Sequence, residues 1–172
     1  RYTADLLSGT PSIVIGMFIY AILVLPVRQF SAWSGGVALG VMMIPTVMRT
    51  TEEMLKLVPK SLREASLALG IPQWRTIWSV VLTAGRAGIV TGALLAIARI
   101  SGETAPLLFT AFGNRFWSTD LNQPMASLPL QIFSYAISPY EDWQAQAWAG
   151  ALILIALVFC LNVGARLFKR GY

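Results

Sequence analysis

The sequence predicts an all-α membrane protein. Hydrophobic residues make up 56% of the 172-residue chain and charged residues only 12%, and the mean hydropathy of +0.64 is far too apolar for an ordinary soluble domain. The chain has no histidine and a single cysteine, Cys160, which lies in an apolar run. Disulfide frameworks, His/Cys metal sites and Ser-His or Cys-His catalytic pairs are therefore excluded. We expect no catalytic residue and no metal site in this chain.

Four apolar stretches predict four membrane-spanning helices. The first, residues 8–26, is uncharged, and Pro11 stands in its first turn, where a helix tolerates proline. A polar connection at residues 27–34 leads to the second, residues 35 to about 50, in which Pro45 predicts a kink. The pairs Gly36/Gly40 and Gly88/Gly92, in the second and third stretches, have the four-residue spacing that is typical of close helix packing.

The remaining stretches complete the predicted order. The third span begins near Pro72, where Trp74 and Trp78 suit the membrane interface. A polar and aromatic connection, residues 113–143, includes a predicted short helix at residues 125–137, on or dipping into the membrane surface. The last span runs from about residue 146 to residue 161 or beyond and ends in a basic tail. Because the chain begins at Arg1 with neither a methionine nor a signal segment, we expect it to lack upstream sequence.

A short polar helix is predicted between the second and third spans, at residues 61–70. Ser61 and Glu64 have the spacing of a capping box, in which the Ser61 hydroxyl accepts from the Glu64 amide and the Glu64 carboxylate accepts from the Ser61 amide. This box places the first helical residue at Leu62. Gly70 can adopt the left-handed conformation that ends a helix, and Pro72 cannot continue the hydrogen-bond ladder.

The basic residues predict which side of the membrane each loop occupies. If the short helix and the C-terminus lie on one side, nine lysines and arginines fall there and two, Arg28 and Arg115, fall on the other, leaving out Arg1 and Arg99. This excess predicts a cytoplasmic short helix and C-terminus by the positive-inside rule. The pI near 9.8 then follows from topology and requires no nucleic-acid partner.

The third span carries two charged residues along its face of small residues. Arg99 lies 13 residues beyond Arg86, about 20 Å along a helix and well inside a hydrocarbon core of about 30 Å. A charge at that depth costs from about 2.5 to more than 10 kcal/mol, so it requires a partner or a function. Side chains at spacings of three and four share one stripe, which we expect to face the protein interior. Its members are Gly85, Gly88, Gly92, Ala96, Arg99 and Glu103.

The short helix resembles a known motif. Glu64, Ala65 and Ser66, with Gly70 at the expected distance, resemble the EAA loop of the permeases of binding-protein-dependent ABC importers. The chain departs from that pattern at three positions, where Ser66 replaces alanine, Val80 replaces isoleucine and Thr83 replaces proline. In that family the loop is the helix that couples the permease to a cytoplasmic ATPase. The resemblance therefore implies that Glu64, Ala65, Ser66 and Gly70 serve ATPase coupling.

Three further stretches are similar to the phosphate permeases of that family, in particular the PstA-type subunit. They are TPSIVIG at residues 10–16, RTTE at residues 49–52 and ARISGETAPLLF at residues 98–109. The resemblance covers nearly the whole chain and implies a type I ABC importer permease (MetI-like) bundle, with this chain as the C-terminal portion, four spans of six. It also implies that the chain is no enzyme, and that ATP and magnesium are bound by a partner subunit.

The same resemblance implies a set of partners and a location. The partners are a second permease subunit of the PstC type, a dimer of PstB-type ATP-binding subunits, a PstS-type phosphate-binding protein and inorganic phosphate. The location is the lipid bilayer of the bacterial inner membrane, which a multi-pass chain would cross.

The resemblance further implies that Arg99, Glu103 and Arg49 lie along the substrate path. In this interpretation Arg99 offers a fork of donors to a tetrahedral oxyanion, and Glu103 holds it until substrate arrives. A carboxylate beside the path could also accept the proton of hydrogen phosphate, which favours phosphate over sulfate. Two alternatives stay open: the pair is purely structural, or Arg49 only satisfies the positive-inside rule.

Other functions stay open as well. The same machine could move another oxyanion such as sulfate or molybdate. A proton-coupled secondary transporter could use Arg99 and Glu103 as a relay, but it leaves the short cytoplasmic helix unexplained. A membrane assembly factor would have no use for charges inside the membrane. The sequence contains no phosphate-binding G-x-x-x-x-G-K-[ST] motif, which agrees with ATP hydrolysis in a separate subunit.

Overall fold

The computed structural model describes residue 7 and residues 9–170, the last three of them by backbone alone. Between residues 10 and 170 the chain forms seven helices and no β-strand, with one isolated bridge between Phe112 and Met125. The helices are α1 (Ser12–Val27), α2 (Ala32–Lys56), α3 (Lys60–Ala68), α4 (Gln73–Ile100), α5 (Ala105–Thr110), α6 (Leu128–Ala136) and α7 (Glu141–Arg170). The all-α expectation is confirmed for this part of the chain.

Helices occupy all four stretches that the sequence predicts to span the membrane. The segments Gln73–Ile100 and Glu141–Leu167 are each long and apolar enough to cross a bilayer. α1 is apolar but shorter, and α2 ends in charged residues, so the crossing of these two helices stays a prediction. Ser8, where the first span was expected to begin, lies outside the described residues.

α2 extends beyond the predicted second span at both ends. Its N-cap is Ser31, whose side chain accepts a hydrogen bond of 3.2 Å from the Ser34 amide. The charged residues that follow the predicted span continue as helix to Lys56. The Lys56 Nζ lies 2.8 Å from a carboxylate oxygen of Glu52, one turn earlier, and this spacing supports a helix. Pro45 is buried within α2 and does not end it.

The predicted capping box at the start of α3 does not form. The helix begins at Lys60 with Pro59 at the N-cap, and no side chain caps it. The reason is that Pro59, with φ of −57°, already has the dihedral that a helix start requires. Its carbonyl oxygen accepts from the Leu62 amide at 3.2 Å. Ser61 therefore lies inside the first turn, out of register for a cap.

The predicted end of α3 is confirmed. Gly70 has a φ of 74°, the left-handed conformation in which glycine is least strained. The Gly70 amide donates to the Leu67 carbonyl at 2.9 Å, and the Ile71 amide donates to the Ser66 carbonyl at 3.3 Å. These two bonds form a Schellman motif, which satisfies the last carbonyls of the helix.

α2 and α4 pack antiparallel along the small residues of α4. A Cβ added to Gly92 would lie 2.7 Å from Thr50 Oγ1, and a Cβ added to Gly88 would overlap the side chain of Met54. Lower residue numbers on α4 therefore lie beside higher residue numbers on α2. The packing predicted for Gly88 and Gly92 is therefore observed.

Gly36 and Gly40 differ from that pair. A Cβ added to either would meet nothing within 4 Å among the residues that the structure describes, so the packing predicted for them is not seen there. Gly35 packs instead, because its position turns it towards α5, where an added Cβ would lie 3.1 Å from Ala111 Cβ.

α5 is held between α1 and α2. Gly16 of α1 allows the closest approach, since a Cβ there would lie 2.7 Å from Pro106 Cα. Thr110, which is fully buried, accepts at its carbonyl oxygen from the Ser31 amide at 3.2 Å and from the Ser34 hydroxyl at 2.7 Å. Pro106 near the start of α5 is thereby held against α1, and Thr110 at its end is held against the start of α2. On the other side of α4, α7 packs against both α4 and α6.

Candidate functional site

Arg99 is the penultimate residue of α4 and is exposed. It lines a groove of about 490 Å³ that runs between the end of α4 and α7. The α4 side of the groove also includes Ala98 and Gly102, and α7 supplies four apolar side chains and one amide, which are Leu154, Ile155, Val158, Phe159 and Asn162. The guanidinium group therefore stands at the edge of a largely apolar groove.

The small-residue stripe of α4 reaches the interior only as far as Ala96. Gly85, Gly92 and Ala96 are buried, but Arg99 is exposed, so the expectation that the whole stripe faces inward is wrong for Arg99. Glycine and alanine fit where α2 comes close. A guanidinium buried there without a partner would carry a large desolvation penalty.

Glu103 does not pair with Arg99. Neither side chain has an ion-pair or hydrogen-bond partner among the described residues. The expected one-turn spacing fails because α4 ends at Ile100, and the Glu103 amide closes a tight turn by donating to the Ile100 carbonyl at 3.0 Å. Glu103 is half-buried in that turn. The arrangement leaves the donors of Arg99 available and removes the interpretation of a preformed structural pair.

Asn162 is a polar residue of the groove that the sequence reasoning missed. Its Nδ2 donates to the Val158 carbonyl of its own helix at 2.8 Å, while its Oδ1 has no hydrogen-bond partner among the described residues. The sequence signal that could have found it is an amide side chain directly after the apolar run at residues 149–161, which contains no strongly polar side chain.

Arg49 stands on α2 next to Thr50 and is exposed. Because Thr50 packs against Gly92, Arg49 lies near the level of Gly92. Gly92 precedes Arg99 by seven residues, or about 10 Å along the helix axis. The two arginines thus lie about two turns apart along the bundle.

α3 presents most of its surface to solvent. Glu64, Ala65 and Gly70 are exposed, whereas Ser66 is the one buried residue of this helix. The exposed face also includes three leucines, Leu62, Leu67 and Leu69. Arg63 ties α3 back to the end of α2, since its Nη2 donates to the Leu55 carbonyl at 2.8 Å. Of the four predicted coupling residues, three are thus accessible to a partner and one is not.

The candidate metal ligands are scattered in the part of the chain that the structure describes. No group of three or more His, Cys, Asp or Glu side chains there could hold a metal ion. Two helices are long and apolar enough to cross a bilayer, and one of them carries Arg99 as its penultimate residue, an arrangement that is typical of α-helical membrane proteins of the transport class.

The chain belongs to the family described as binding-protein-dependent transport system inner membrane component, whose family model matches residues 1–172. It is 55% identical to the phosphate transport system permease protein PstA of Yersinia pestis, over 96% of this chain and 56% of the relative. The PstA of Pasteurella multocida is also 55% identical, over 98% of this chain and 60% of the relative.

More distant relatives carry the same name. The phosphate transport system permease protein PstA 1 of Mycobacterium tuberculosis is 41% identical, over 98% of this chain and 56% of the relative. The chain thus spans between 56% and 60% of the length of these relatives. No solved structure gives a significant match to the chain.

Proposed function

We propose that this chain is the membrane-spanning permease subunit of an ATP-driven importer of inorganic phosphate. The names of its relatives support phosphate as the substrate. The observation that carries the proposal is the groove at the end of α4, where Arg99 offers its donors without an ion-pair partner among the described residues.

The chemistry of this groove suits a tetrahedral oxyanion. A guanidinium presents a planar fork of donors that two oxygens of one phosphate can accept together. The apolar side chains of α7 line the groove beside that fork, and a less polar neighbourhood strengthens such an interaction. Glu103 lies four residues beyond Arg99 and serves as an acceptor for the proton of hydrogen phosphate, a proton that sulfate lacks at neutral pH.

The rest of the proposed machine follows from α3. We infer that α3 docks on a cytoplasmic ATPase, with the exposed Glu64, Ala65 and Gly70 nearest to it, and that the C-terminus lies on the same side. ATP and magnesium bind only to that partner. A second permease subunit and a phosphate-binding protein complete the importer, and Arg49 lines the path below Arg99.

The test is ATP-dependent phosphate uptake by proteoliposomes that contain the complete importer, with full-length permease that carries Arg99→Gln. Glutamine keeps hydrogen-bonding capacity but loses the charge and the fork. We expect uptake to fall at least about tenfold, the value of one or more hydrogen bonds to a charged group, while ATP hydrolysis stimulated by the binding protein is retained. Arg166→Gln removes the same charge from an exposed position of α7 and should leave uptake unchanged.

Two further measurements separate this function from its rivals. Excess sulfate or molybdate should not compete with labelled phosphate, and competition by either would assign a different oxyanion to the importer. Uptake should stop when ATP is removed and continue when the proton gradient is collapsed. The reverse result would identify a proton-coupled transporter.

A further inference from the structure

Ser66 and Thr76 form a buried contact between α3 and the start of α4. Their hydroxyl oxygens lie 2.9 Å apart, and the two residues are only 5% and 3% exposed. Ser66 is the one buried residue of α3, and Thr76 is the one buried residue of the first four residues of α4. The two hydroxyl groups therefore meet at the place where the short helix rests on the long one.

The chain around this contact is built to be stiff. The Schellman end of α3 and Pro72 restrict the connection between the two helices. The Thr76 amide donates to the Pro72 carbonyl at 3.0 Å, which closes the first turn of α4. α3 also packs against the π-helical turn Ile77–Val81 that follows Thr76. A displacement of α3 should therefore displace the first turns of α4 as well.

The nature of the contact matters for transmission. A hydrogen bond between buried groups is directional, and breaking it leaves both hydroxyl groups without partners. Ser66 is also the position at which this chain departs from the alanine of the EAA pattern. The hydroxyl group that serine adds at this position has a hydrogen-bond partner in the structure, Thr76.

The same helix connects the contact to Arg99. Thr76 and Arg99 are separated by 23 residues of continuous helix, about 35 Å at 1.5 Å per residue. A small tilt at the base therefore becomes a displacement of the guanidinium at the far end.

We propose that the hydrogen bond between Ser66 and Thr76 is the positioning contact through which α3 sets the tilt of α4, and so couples ATP hydrolysis to the movement of substrate. Both residues act through α4 and do not touch the substrate. The proposal rests on the importer function proposed above.

The test measures phosphate imported per ATP hydrolysed, in proteoliposomes with the complete importer and saturating binding protein. Ser66→Ala and Thr76→Val should each lower this ratio by about two- to tenfold, the range that one neutral hydrogen bond contributes to an equilibrium. The double variant should be no worse than the more affected single variant, because both remove the same bond. Thr76→Ser keeps the hydroxyl group and should keep the ratio.

A matched control is Ser79→Ala, which removes a hydroxyl group one turn further along α4. The Ser79 side chain is exposed, and within the described part of the chain it bonds only to the Arg75 carbonyl of its own helix, at 2.6 Å. The ratio should be unchanged in this variant.

Three results would overturn the proposal. The first is an unchanged ratio in both single variants, and the second is a double variant in which the two losses multiply. The third is a parallel loss of uptake and hydrolysis, because poorer assembly lowers both rates and leaves their ratio intact. If Ser66→Ala prevents assembly, the ratios of Thr76→Val and Thr76→Ser are compared instead, and equal ratios in these two variants would overturn the proposal. Absence of ATP-driven phosphate uptake in the unmodified importer would contradict the proposed function itself.

Discussion

Thr50 of α2 occupies the space that a side chain at Gly92 of α4 would need. A Cβ at Gly92 would lie 2.7 Å from Thr50 Oγ1 and 2.8 Å from Thr50 Cβ, well inside the separation at which carbon atoms attract one another. The Thr50 hydroxyl lies 3.0 Å from the Thr46 carbonyl and 3.1 Å from the Val47 carbonyl, so its orientation is restricted. This contact fixes the register of α2 against α4 two turns below Arg99.

Replacing Gly92 with alanine should therefore destabilise the permease. Because the obstructing Thr50 Cβ cannot rotate away, α2 and α4 must separate, and we expect a loss of about 1–3 kcal/mol in the free energy of unfolding. The measurement is thermal unfolding of the purified full-length permease in detergent. Gly164→Ala is the matched control, since an added Cβ there meets nothing within 4 Å in the described part of the chain. Equal stability of the two variants would show that the helices are not in contact at Gly92.

The spacing of small residues predicted the packing at Gly88 and Gly92 but not the behaviour of Gly36 and Gly40. The reason is geometrical. A spacing of four residues indicates that two residues share a face of a helix, but it does not indicate which face another helix covers. On α2 the covered face includes Gly35, and its neighbour Gly36 points elsewhere.

Two other differences have local causes. The capping box of Ser61 and Glu64 does not form, because α3 begins at Lys60 with Pro59 at the N-cap, where the proline ring fixes φ. The pairing of Arg99 with Glu103 required the helical repeat to continue past Ile100, where α4 ends. Periodicity carries no information about side chains beyond the end of the helix that produces it.

Gly16→Ala should disturb the turn between α4 and α5. The added Cβ would lie 2.7 Å from the Cα of Pro106, a backbone atom of a buried residue, so α1 and α5 must move apart. We expect a destabilisation of about 1–3 kcal/mol, together with lower phosphate uptake, because Glu103 lies in the turn that Pro106 anchors. Thermal unfolding and proteoliposome uptake measure the two effects. Gly9→Ala, whose added Cβ meets no described residue within 4 Å, should change neither. A normal Gly16→Ala variant would contradict the close approach of α1.

Gly70→Ala should loosen the end of α3. A φ of 74° is strained for alanine by about 1–2 kcal/mol, so the Schellman hydrogen bonds would weaken and the helix would fray. Asparagine tolerates this conformation better than other non-glycine residues, which makes Gly70→Asn the matched control. The measurement is the rate of tryptic cleavage after Arg63, an exposed residue of α3. We expect faster cleavage in Gly70→Ala than in Gly70→Asn, and equal rates would show that the left-handed conformation does not hold α3.

Asn162→Asp tests whether the groove between α4 and α7 carries an anion. The change keeps the size of the side chain and places a carboxylate beside Arg99 in the same groove. A carboxylate there would compete with phosphate for the guanidinium and repel it, and like charges brought together cost several kcal/mol. Phosphate uptake by the complete importer should fall at least about tenfold, whereas Asn162→Ala should have a smaller effect. Asn122→Asp makes the same substitution in an exposed loop and should leave uptake unchanged. Normal uptake with Asn162→Asp would place the substrate path outside this groove, and Arg99 would then act from another face of α4.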